Sequence, residues 1–80
     1  MKLTSILRPN KVNLVPNDIK STVISEDCSL GQAITMIESW CYDNGADYPN
    51  LANLWKDKGM ICIKIITHDH KYINIFNIED

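Results

Sequence analysis

His68-Asp69-His70 is the group whose residue types and spacing most plainly suit chemistry. Imidazole and carboxylate together can ligate zinc or nickel, and histidine is the usual general acid or base near neutral pH. A structural zinc site takes four ligands, and a catalytic one takes three plus water. On a strand, His68 and His70 share one face and Asp69 takes the other, so at most two side chains converge. No second ligand-rich segment occurs in the chain. His68 and His70 are therefore weak metal candidates, a solvated polar loop accounts for them better, and no cofactor is expected.

The thiols are sparse. Cys28, Cys41 and Cys62 are odd in number and far apart, which gives neither a disulfide framework nor a zinc knuckle. They read as small buried hydrophobes. Cys28 lies just before a helix start, where the helix dipole lowers a thiol pKa, and a histidine partner would make a nucleophile of it or of Cys41. The flanking signatures of cysteine proteases are absent, however. Gly31, Gly45 and Gly59 are isolated, so there is no phosphate-cradling loop, and no nucleophile-elbow, zincin or calcium-loop pattern occurs. The expectation is a protein that is not an enzyme.

The aromatic residues suit recognition better. Trp40 and Met36 widen the apolar stripe of a predicted helix to one side, either packing under neighbouring structure or forming a contact patch. Tyr42 falls on the opposite side of that helix, and Tyr48 falls in the loop after it. Tryptophan and tyrosine are enriched among residues that dominate binding energy. Met36, Trp40, Tyr42 and Tyr48 are the candidate partner-binding residues.

These side chains must be held by local elements. Leu30, Ala33, Ile34, Ile37 and Cys41 recur at helical spacing and predict a helix over Leu30 to Asn44. Ser29 and Gln32 stand at capping-box spacing, and Gly45 suits the position after the helix. Pro49, Leu51, Leu54 and Trp55 predict a second helix over Asn50 to Lys58, with Lys56 and Lys58 near its end and Gly59 ending it. The period then changes to two. Met60 to Thr67 and Tyr72 to Ile78 predict a hairpin around His68 to Lys71. Before the first helix, Lys2 to Leu7, Lys11 to Val15 and Ile19 to Ser25 are candidate strands, of which one can be coil.

Strands at both ends with helices between predict an α+β fold. We expect a two-layer sandwich, with an antiparallel sheet of about four strands from the N-terminal segments and the C-terminal hairpin. Both helices would cover one face. The isoleucine-rich strand carrying Lys64 as its one charge would be a sticky edge unless covered, and it can pair with a partner or a second copy.

Length and composition set the outer bounds. Eighty residues, 45% hydrophobic and 22% charged, make one domain over 1–80. A net charge of −2 with thinly spread lysines argues against a duplex-binding face. No apolar run reaches membrane-spanning length or forms a secretory signal, so the expected location is cytoplasmic. Twelve isoleucines, eight asparagines and seven lysines against one arginine point to an AT-rich gene, as in many phages, mobile elements and bacteria. The expected function is a small protein-binding inhibitor or modulator of a host protein. The alternatives are a single-stranded nucleic acid or RNA binder, and a small metal-dependent enzyme using His68, Asp69 and His70.

Overall fold

The computed structural model describes residues 1–51 and 54–80, and at 55–57 the backbone. Helix α1 (Leu30–Asn44) begins and ends where its caps dictate. The Gln32 N–H donates to Ser29 Oγ at 3.1 Å, and the Ser29 N–H donates to Gln32 Oε1 at 2.9 Å. These two bonds satisfy donors that a helix start leaves orphaned. Gly45, at φ 66° and ψ 58°, closes the last turn in the left-handed conformation that glycine adopts without a Cβ clash. Ala33, Ile37 and Cys41 form its buried stripe.

The stripe packs on a five-stranded sheet made of β1 (Lys2–Pro9), β2 (Lys20–Ser25), β3 (Trp55–Asp57), β4 (Met60–Ile66) and β5 (Tyr72–Glu79). The spatial order is β2-β1-β5-β4-β3, antiparallel throughout. The N-terminal strands and the C-terminal hairpin supply the four long strands, as the α+β reading expects, and the three-residue β3 extends the sheet beyond β4. The register explains the core. Ser5, Phe76 and Ile63 share one rung, and Leu3, Ile78 and Ile61 another. Because side chains alternate along a strand, these rungs face α1 together. Phe76, Leu3, Ile37 and Cys41 are fully buried there. Asn74 is also fully buried, held by the Ser5 hydroxyl at 2.8 Å.

One sequence expectation is corrected, and two open alternatives are resolved. The second helix over Asn50 to Lys58 is not formed, so one helix and not two covers the sheet. Ala52 and Asn53, within that span, lie outside the described residues. Trp55 to Asp57 pair with Met60 to Cys62 instead. Lys58 and Gly59 take φ 51° and 80°, the geometry of a two-residue type I′ hairpin turn. The apolar spacing was compatible with a helix, but the turn lets this segment cover part of the edge of an isoleucine-rich strand. Gly59 thus serves a hairpin, and Lys58 serves no helix end.

Next, of the three N-terminal candidate strands, Lys11 to Val15 is the one that is coil. It leads into a 3-10 turn at Pro16–Asp18, held by Asp18, whose carboxylate accepts from the Val15 N–H and pairs with Lys11 at 3.3 Å. Finally, the isoleucine-rich strand β4 is covered. It lies between β5 and β3, and the outermost strand on the other side of the sheet is β2.

Candidate functional site

The end of α1 and the β4–β5 turn are tied together, and this tie carries most of the chemically distinctive side chains. Thr67, buried at the end of β4, begins the turn. Its hydroxyl donates to Asp69 Oδ1 at 2.6 Å, and the Lys71 N–H donates to the same oxygen at 3.0 Å. These bonds, the hydroxyl's first, hold the Asp69 carboxyl below its ordinary pKa. Asp69 is therefore an ionised turn-former. His70 sits at φ 59°, and its N–H donates to the Thr67 carbonyl at 2.9 Å. Asn10 Nδ2 donates to the His70 carbonyl at 2.9 Å, which docks the loop after β1 on the same turn.

His68 turns toward the helix. Its N–H donates to the Gly45 carbonyl at 2.8 Å, Ala46 and Thr67 form an isolated bridge, and Nε2 lies 2.7 Å from Asp47 Oδ1. Both side chains of that hydrogen-bonded pair are well exposed, at 61% and 94%. Exposed pairs of this kind contribute little to stability. Among the described residues, no three histidine, cysteine or acidic side chains gather into a group able to hold a metal ion. Asp69 is held in the turn, and His68 meets Asp47 at an exposed position. The Asp47 partner was not foreseen, because contact across 21 residues leaves no mark in local spacing.

The cysteines divide by burial. Cys41 is fully buried under the helix, and burial, reinforced by Glu38, pushes its thiol pKa up. It is unsuited to act as a nucleophile. Cys28 is buried with its thiol 3.4 Å from the Met1 carbonyl, and Cys62 is half-buried on β4.

The four candidate contact residues fall into two pairs. Trp40 and Met36 are half-buried and packed against the core. The Trp40 ring meets Phe76 edge-on, with centroids 5.7 Å apart at 73°, a favoured aromatic geometry. Trp40 thus packs on the sheet. Tyr42 and Tyr48 are exposed, at 79% and 56%. Glu38 lies one turn before Tyr42 on the same helix face. Asp43 follows Tyr42, and Asp47 precedes Tyr48. The exposed tyrosines therefore stand among carboxylates. Among the described residues, no helix is long and apolar enough to cross a membrane.

The chain matches no family model, no curated protein and no solved structure, so its functional reading rests on its own residues.

Proposed function

We propose that this chain is a small protein-binding module that inhibits or modulates a host protein by occupying its surface. The observation that carries this reading is the exposure of Tyr42, in the last turn of a helix whose other side is anchored in the core, and of Tyr48 in the segment that follows it. Tyrosine offers a large, rigid, amphipathic contact area, and such residues recur in binding hot spots. The surrounding Glu38, Asp43 and Asp47 select a partner with a basic face. The same carboxylates repel phosphate, which sets the protein reading ahead of nucleic-acid binding.

The test compares nuclease-treated capture from a lysate of the native host by the unaltered protein and by a Tyr42→Ala/Tyr48→Ala variant. One protein should be retained by the former, lost by the latter, and weakened as salt rises. A partner held equally by both, or capture that disappears with nuclease, would contradict the assignment.

A further inference from the structure

Strand β2 forms one edge of the sheet, with β1 on one side and, among the described residues, no strand on the other. An unpaired edge is a template for another chain, and proteins blunt such edges with short strands, prolines, bulges or charges. At the opposite edge, β3 has only three residues. By contrast, β2 has six, with one bulge opposite Leu3 and Thr4 and a single lysine at its start. Every residue from Lys20 to Ile24 is exposed, including Val23 and Ile24 at 46% and 39%.

The charges around this strand decide what it fits. Lys20 opens it, and Glu26 and Asp27 follow its end. All three are exposed, and none forms an ion pair within the described chain, where the pairs are Lys11 with Asp18 and His68 with Asp47. Lys20 lies as far before Val23 along the chain as Glu26 lies after it. Antiparallel pairing of two copies about Val23 therefore brings each Lys20 beside the Glu26-Asp27 pair of the other copy, twice by two-fold symmetry. The Val23 side chains meet at the axis.

We propose that the chain forms a homodimer through antiparallel pairing of two β2 strands about Val23, with Lys20 of each copy held by Glu26 and Asp27 of the other. The sheet then runs continuously through both copies. One strand per copy makes a small contact, below about 1,200 Å² in total, so the dimer is transient and concentration-dependent. Tyr42 and Tyr48 lie outside the paired strands, so dimerisation does not need the surface proposed for the target.

Sedimentation velocity from micromolar to millimolar concentration tests this. The unaltered protein should pass from monomer to dimer. Lys20→Glu alone, or Glu26→Lys with Asp27→Lys, should raise the dissociation constant about tenfold by setting like charges opposite one another. An equimolar mixture of these two variants should recover association as a heterodimer, because their charges are complementary. All the substituted residues are exposed, and circular dichroism checks that the variants fold. A Tyr42→Ala variant should dimerise normally, which separates failure of this proposal from failure of the target-binding reading. A protein monomeric throughout, variants that associate as well as the parent, or a mixture that recovers nothing would each overturn the dimer.

Discussion

Strands β2 and β5 flank the same strand, β1, yet they differ in what surrounds them. β5 lies between β1 and β4 and contributes Phe76 and Ile78 to the face under α1. Among the described residues, β2 has a neighbour on one side only and no buried residue. Both strands alternate side chains across the sheet, so local conformation does not separate them. Position relative to the helix does. An 80-residue chain has little apolar surface to bury, and this one concentrates its burial on β5 and the strands beside it. Strand β2, left out, is where backbone hydrogen bonds and aliphatic side chains remain open to another chain.

The largest expected effect sharpens this contrast directly. Phe76→Ala removes the ring that Trp40 meets and leaves a cavity under the helix. It should cost about 3–5 kcal/mol, comparable with the whole stability of a domain of this size, roughly 4–12 kcal/mol. Val23→Ala on β2 should stay within about 0.5 kcal/mol, as exposed substitutions usually do. Urea melts of both variants check this, and equal losses would erase the distinction between the strands.

A smaller effect concerns acid. The Thr67 hydroxyl and the Lys71 N–H lower the Asp69 pKa in the folded state, and the Val15 N–H and Lys11 lower that of Asp18. A carboxyl depressed on folding adds stability above its unfolded pKa, and that stability is lost as pH falls through its folded pKa. The protein should therefore weaken progressively as pH drops below the ordinary aspartate range. Asp69→Asn should flatten part of that slope while leaving the core intact. Melting temperatures against pH for both forms test it, and parallel slopes would count against the turn's role.

The pattern of what was legible follows the range of the interactions. The helix was readable in full, since Ser29, Gln32 and Gly45 act within a few residues of its ends and Ala33, Ile37 and Cys41 repeat at its period. The C-terminal hairpin was readable for the same local reason. The segment around Trp55 was not. Its apolar spacing suits either period, and the choice was made by the Lys58-Gly59 turn together with the partner strand it returns to. The exposure of the four candidate contact residues was half legible. Tyr42 and Tyr48 are exposed as their positions suggest, whereas the packing of Trp40 on Phe76 joins residues distant in sequence. That β2 is left at the edge followed from strand order, which no local spacing encodes.

Residue-resolved amide hydrogen exchange, measured in dilute and in concentrated solution, tests the central contrast most directly. The account predicts that β5 amides exchange only through global opening at both concentrations. The β2 amides that face away from β1 should exchange quickly when dilute and slow markedly when concentrated, as the edge finds its counterpart. A β2 protected as strongly as β5 in dilute solution, or one that stays fast however concentrated the protein, would contradict it.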